Sequence, residues 1–214
     1  MILVLGLSSC AGLIPYKPKV TLPVQEYLFT KKFKFERMAD LRPASDTIKE
    51  KGFLPLRLVA PTKFNFKGDL SNDIKAAISE GFKSTKFVQI SENDDFDFKI
   101  NGDFSHFYIK EAMTDIFLLS VISYYGIFLN LFGIPAKKED VSVQIRFNVL
   151  TKQNVLLGTY SGSYIKKRTY SMIGFSLKQL EDGYGSSQEK LNTYFSQAVM
   201  DIQRQMIADS LKYR

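Results

Sequence analysis

Residues 141–165, VSVQIRFNVLTKQNVLLGTYSGSYI, alternate apolar Val143, Ile145, Phe147 and Val149 with polar Ser142, Gln144, Arg146 and Asn148. A period of two is the signature of a strand with one face in a core and one in water. Lys152-Gln153-Asn154 then interrupts the pattern, and Val155 to Ile165 runs back. The stretch therefore predicts a β-hairpin, and a hairpin of this length needs further strands or a helix to cover its apolar face.

Downstream, Ser186 and Glu189 have the spacing of a capping box, and Leu191, Tyr194, Phe195, Ala198, Ile202, Met206 and Ile207 keep helical spacing. The Gly- and Ser-rich residues 171–187 read as a loop. Upstream, Phe96, Phe98, Ile100, Phe104, Phe107 and Ile109 line a long strand, with Asn101-Gly102 as a bulge or a turn. Phe87 to Ile90 reads as a short strand before the turn Glu92-Asn93-Asp94-Asp95. Leu70, Ile74, Ala77, Ile78 and Phe82 mark an amphipathic helix with Ser71 or Asp69 as N-cap. Tyr27 to Glu36 alternates as a strand ended by Leu41-Arg42-Pro43, and Leu54 to Val59 is a further strand candidate.

This order predicts an α+β fold: a mainly antiparallel sheet with two helices packed on one face, plus an apolar insertion at 116–134. Residues 27–214 form the single domain. Pro15, Pro18 and Pro23 make residues 10–26 an extended spacer rather than a helix.

At the N-terminus Leu7-Ser8-Ser9-Cys10 closes an apolar run that starts at Met1. It has the form of a bacterial lipobox, in which residues 1–9 are the signal peptide and Cys10 carries diacylglycerol and a further acyl chain such as palmitate. Nothing charged precedes Lys17, so the true start is expected upstream. Ala11 rather than Asp follows the cysteine, the arrangement that in enteric bacteria sends a lipoprotein to the outer membrane. Cys10 is the only cysteine, which excludes an intramolecular disulfide and a cysteine-based zinc site.

The net charge of +7 and pI near 9.3 fit nucleic acid, anionic lipid or acidic polymer, and export leaves out nucleic acid. The charge is spread along the chain, with Lys31, Lys32, Lys34 and Arg37 as one cluster, Lys166, Lys167 and Arg168 as another and no long arginine-rich stripe, and reads as solvated surface or as weak adhesion to anionic headgroups. Residue patterns for catalysis are thin. His106 is the only histidine; Asp94, Asp95 and Asp97 lack the glycine and distal glutamate of a calcium loop; and no glycine-rich phosphate loop is present. The expectation is a non-enzyme with no catalytic, cofactor or metal residue.

Residues 116–134 are nineteen residues without a charge. As a helix they would reach about 28 Å, close to the thickness of a bilayer core. Three readings stand: an apolar excursion or helical hairpin buried against the sheet, a loop resting on a membrane or partner, and a span. In the second reading Phe117, Leu118, Ile122, Tyr124, Tyr125, Phe128 and Phe132 make the contact.

The lipobox, the strand end Asp40-Leu41-Arg42-Pro43 and the closing Val143-Gln144-Ile145-Arg146-Phe147, Gly158-Thr159-Tyr160-Ser161-Gly162 and Ala198-Val199-Met200-Asp201-Ile202 together resemble YajG-type lipoproteins and the wider curli-secretion-like and transport-auxiliary lipoproteins. The resemblance covers most of residues 27–212. It implies a domain held by a lipid anchor at the outer membrane and facing the periplasm, in a group that assembles or supports envelope machines, and it carries over no catalytic residue. The expected partners are the membrane, through Cys10, and a protein partner or a second copy of the chain. The alternatives are a carrier of a small apolar ligand or lipid, which needs a cavity between the last helix and the sheet, and a ring- or pore-forming subunit.

Overall fold

The computed structural model describes residues 16–24, 31–43, 62–63, 70–113, 135–171 and 183–213. Cys10, the strand candidate 54–59 and the whole apolar stretch 116–134, with Phe117, Leu118, Ile122, Tyr124, Tyr125, Phe128 and Phe132, lie outside the described residues, as do residues 172–182.

The hairpin forms as its alternation requires. Strands β5 (Pro135–Thr151) and β6 (Leu156–Ser171) pair antiparallel, with Val143 opposite Tyr164 and Ile145 opposite Gly162. Asn154 closes the turn at φ 67°, a left-handed conformation that asparagine tolerates. There the Thr151 amide donates to the Val155 carbonyl at 2.8 Å. Every odd residue from Val141 to Val149 is buried, so this hairpin supplies the floor of the core.

Strand β4 (Phe98–Met113) pairs antiparallel with β5 along its whole length. Asn101-Gly102 is neither bulge nor turn, since Asn101 and Gly102 stand in register opposite Asn148 and Phe147. Instead the register shifts between Phe104 and His106, which lets Phe104 and Phe107, three residues apart, both face inward. Gly102 is needed for space, because a Cβ there would meet the Met38 sulfur and the Phe147 ring.

The sheet is mixed, which corrects the mainly antiparallel expectation. Strand β1 (Lys32–Asp40) runs parallel to both β3 (Gln89–Ile90) and β4, giving the order β3-β1-β4-β5-β6, while the short β2 (Thr62–Lys63) pairs antiparallel with β4 beyond the end of β1. The cause is helix α1 (Ser71–Ser84), which lies between β1 and β4 in the chain and makes their connection a crossover. Of the expected strand 87–90 only Gln89 and Ile90 pair; Phe87 and Val88 are core residues that follow the helix.

Both helices cover one face. Phe82 of α1 meets the Phe147 ring at 6.4 Å, and Phe195 of α2 (Gly183–Ala208) meets Phe107 edge-on at 5.2 Å. Phe147 and Phe107 point to the same side of the sheet, since Phe107 stands opposite Val143 on the odd-numbered face of β5. Two capping expectations fail. Leu70, with no side-chain cap, occupies the N-cap of α1, so Ser71 is already helical. Helix α2 starts at Gly183, ahead of the expected loop end, which puts Ser186 and Glu189 inside its first turns. Ile202 is fully buried, as its spacing requires. Beyond α2 a short 3-10 turn, Ser210–Tyr213, drives Tyr213 between Phe33 and Phe98 at 5.8 and 5.5 Å.

Residues 16–24 form neither helix nor strand, as their prolines predict. Part of this spacer is nevertheless built into the domain. Tyr16, Val20 and Leu22 are buried, the Tyr16 hydroxyl donates to Asn192 Oδ1 at 2.6 Å, the Thr21 amide donates to Ser196 Oγ at 2.9 Å, and Val20 fills the place where a side chain on Gly81 would lie. The segment thus seals the seam between α1 and α2.

Candidate functional site

The long strands give the domain two ends. At the turn end stand Lys32 and Phe33 of β1, the start of β4, the 152–154 turn and Tyr213. At the other end stand Met113 and Pro135, which flank the apolar stretch in sequence, together with the last residues of β6 and the first turns of α2.

At the turn end four carboxylates each find a lysine, and a fifth, Asp97, accepts a backbone amide. Lys32 pairs with Asp95, and its backbone amide donates to Asp97 at 2.9 Å; Lys34 pairs with Asp94 at 2.7 Å, Lys83 with Glu92 at 2.6 Å, and Lys212 with Asp209 at 2.5 Å. Lysine hydrogen bonds hold the Asp94, Asp95 and Glu92 carboxyls below their ordinary range, and the Asp95 hydrogen bond holds the Lys32 ammonium above its own. The ring of Phe96 lies beneath Lys34, Lys99 and Lys152 at 5.3 to 5.9 Å. The acidic triplet singled out in the sequence is therefore turned toward β1 lysines. Beneath it the Tyr213 hydroxyl donates to Tyr160, which donates to Asp209 at 3.2 Å, and burial pushes both phenols up.

The opposite end is built differently. Its buried carboxylate, Glu139, faces Lys190 of α2 at 3.4 Å. Beside it in the sheet Lys138, Lys167 and Arg168 are exposed, Lys17 and Lys19 are exposed where segment 16–22 meets Asn192 of α2, and Lys166 lies over the Tyr164 ring at 6.0 Å. Among the described residues Lys17, Lys19, Lys138, Lys166 and Lys167 make no ion pair. The further carboxylates at this end are Glu111, opposite Glu139 in the β4–β5 register, Asp140, half-buried opposite Lys110 and Lys167, and Glu189, exposed on α2. Strand alternation places Lys166 on the helix side and Lys167 on the other, so the rim carries positive charge on both faces.

His106, the remaining candidate for chemistry, is half-buried just beyond the β4 bulge with its ring edge-on to Tyr108 at 6.3 Å. Its sequence neighbour Asp103 is held by Arg146 through bonds of 2.9 and 2.8 Å and so serves the outer sheet face. Sequence reasoning missed one arrangement entirely. The Gln205 side-chain amide of α2 accepts from the Ser161 amide at 3.2 Å and donates to the Ser161 carbonyl at 2.7 Å, occupying one position on the outer edge of β6 as a neighbouring strand would. No helix among the described residues is long and apolar enough to cross a membrane.

No protein-family model and no curated protein matches this chain in sequence. Solved structures do resemble it. A protein of the DUF330 group from Xanthomonas campestris superposes with a TM-score of 0.52 at 7% identity, covering 93% of this chain and 97% of that one. Weaker likenesses include uncharacterized lipoprotein B from Nitrosomonas europaea, with a TM-score of 0.42 at 11% identity over 92% of each chain. Another is the PelC dodecamer subunit from Paraburkholderia phytofirmans, with a TM-score of 0.36 at 8% identity over 85% of this chain and 93% of that one. At such identities the likeness to the Xanthomonas protein is one of fold: a mixed sheet with two helices on one face, shared over nearly the whole of both chains.

Proposed function

We infer that this chain is a lipid-anchored protein of the bacterial envelope, acylated at Cys10, whose domain faces the periplasm and acts as a non-enzymatic binding or assembly module. The observation that carries the reading is the lipobox Leu7-Ser8-Ser9-Cys10, placed six residues ahead of Tyr16, the first described residue packed into the domain. Ala11 supports the outer membrane as the site of the anchor. The apolar residues Phe117, Leu118, Ile122, Tyr124, Tyr125, Phe128 and Phe132 would meet lipid or a protein partner, a second copy of the chain included.

The assembly module is favoured over a carrier by the seat of α2. A Cβ on Gly162 would run into the backbone of Ala198, Phe195 is against Phe107, and the Tyr194 and Tyr164 rings stack at 4.3 Å. Helix and sheet are in direct contact along this stretch, where a carrier would need an open cavity. Membrane fractionation of the native host, with mass spectrometry of the mature N-terminus, tests the anchor. The expected result is a membrane-bound chain beginning at a diacylglyceryl-modified Cys10 and a Cys10→Ser chain that remains unprocessed. A chain retaining residues 1–9 and an unmodified thiol overturns the reading. Charged substitutions at Phe117, Ile122 and Phe128 test the contact surface: they should abolish partner or lipid binding and leave the unfolding midpoint in place.

A further inference from the structure

We propose that the end of the sheet bearing Lys138, Lys166, Lys167 and Arg168, with Lys17 and Lys19 beside it, docks on an anionic lipid bilayer and sets the orientation of the domain. The proposal rests on the anchor at Cys10 and adds which surface faces the membrane. The length of the connection keeps the domain close to the bilayer. Six residues from Cys10 to Tyr16 reach at most about 20 Å when fully extended. Tyr16 packs on Phe107, which stands opposite Val143 near the middle of β5. From Val143 the strand continues eight residues to Pro135, about 26 Å at the ordinary rise of a strand. The tether therefore holds the point where residues 16–24 join the domain within about 20 Å of the bilayer.

Charge decides which surface lies there. At the turn end Asp94, Asp95, Glu92 and Asp209 are paired with Lys34, Lys32, Lys83 and Lys212, and Asp97, which accepts the Lys32 backbone amide, adds a fifth carboxylate, so that most of the lysine charge there is offset. The exposed positions of α1 include Asp73 and Glu80, which an anionic surface repels. At the opposite end Glu139 is buried against Lys190, and Glu111, Asp140 and Glu189 are outnumbered by Lys17, Lys19, Lys138, Lys166, Lys167 and Arg168. Lysines grouped this way are drawn to anionic headgroups over a range set by the Debye length, about 10 Å at 0.1 M salt. The segment 16–22 joins α2 at Asn192, two residues on from the Lys190 that faces Glu139, and runs from there toward Ser196 and away from the helix N-terminus.

The test uses the full acylated chain, its Cys10 thiol blocked by lipid, with a fluorophore on Thr169→Cys at the rim or on Gln153→Cys at the turn end, both exposed positions. The chain is reconstituted into vesicles of equal phosphatidylcholine and phosphatidylglycerol that contain headgroup-nitroxide lipid. The rim probe should be quenched at least about threefold more than the turn probe, and the difference should vanish in pure phosphatidylcholine or at high salt. Lys166→Glu with Lys167→Glu, and separately Lys17→Glu with Lys19→Glu, should shrink it, whereas Lys32→Glu with Lys34→Glu should leave it. Equal quenching at the two positions, or a difference that survives both rim reversals in chains with a wild-type melt, overturns the orientation. A chain without diacylglycerol in the mass spectrum overturns the anchor instead.

Discussion

The two ends of the sheet are assembled from the same strands and a similar supply of lysines, yet at one end the lysines meet aspartates and at the other they meet solvent. The turn end is closed on itself, with ion pairs, a phenylalanine under three ammonium groups and the Tyr213 plug. The rim end leaves lysines unmatched around a buried Glu139. Exposed ion pairs contribute about 0–1 kcal/mol each, so the pairing at the turn end matters less for stability than for cancelling a field. What differs between the ends is therefore the electrostatic face shown to a partner, while the core beneath is continuous.

The continuity can be broken by experiment. Phe195→Ala in the rim half and Phe82→Ala in the turn half each remove a fully buried ring, and each should cost about 3–5 kcal/mol. Ile202→Ala, nearer the turn end on α2, should cost about 2–5 kcal/mol. In denaturant unfolding followed by fluorescence and far-ultraviolet circular dichroism, all three should lower one shared midpoint. Two separated transitions would mean that the ends are distinct folding units.

A smaller effect sharpens the point where the ends join. Gly162→Val places a β-branched residue in a strand, which by propensity alone would stabilise, yet its Cβ would collide with the Ala198 carbonyl. The clash should prevail, at a cost of about 1–3 kcal/mol, because the obstacle is helix backbone and has no rotamer to change. A raised unfolding midpoint would show that α2 is free to lift from the sheet.

The smallest effect distinguishes the ends by pH. Asp94 and Asp95 have carboxyl pKa values below the unfolded value of 3.8, so their pairs contribute above that pH and the contribution is lost as pH falls through the depressed folded values. Thermal melts below pH 4 should therefore show a shallower acid limb for Lys32→Met with Lys34→Met than for wild type. The same substitutions at Lys166 and Lys167 should leave that limb unchanged.

The readable parts of the fold are those governed by neighbours in sequence. The alternation of Val143 to Val149 and the helical spacing of Leu191 to Met206 each report one face of one element, and both faces are buried. The bulge at Ser105 was also present as a break in parity, since Phe104 and Phe107 cannot share a face of a regular strand. Asn101-Gly102 drew attention as a turn signal instead, although its glycine answers a packing demand from Met38 and Phe147, residues far off in sequence. In the candidate site, Lys166, Lys167 and Arg168 stood out as a run, but Lys138 joins them only through register, and Lys17 and Lys19 only through the docking of a segment that is neither helix nor strand.

By itself the sequence determined that strands flank a turn at 152–154, that an amphipathic helix closes the chain, and that Leu7-Ser8-Ser9-Cys10 has the pattern of an acylation site, because each is a property of residues within a few positions of one another. Tertiary structure alone decided that β1 runs parallel to β4, that Tyr16, Val20 and Leu22 belong to the core, that Gln205 occupies the edge of β6 at Ser161, and that the aspartates lie at one end of the sheet and the unmatched lysines at the other. The reason is physical: hydrophobic burial is nondirectional and records only which face is covered, whereas strand direction, charge pairing and the path of a proline-rich segment depend on groups brought together from as far as 176 residues apart, as Tyr16 and Asn192 are.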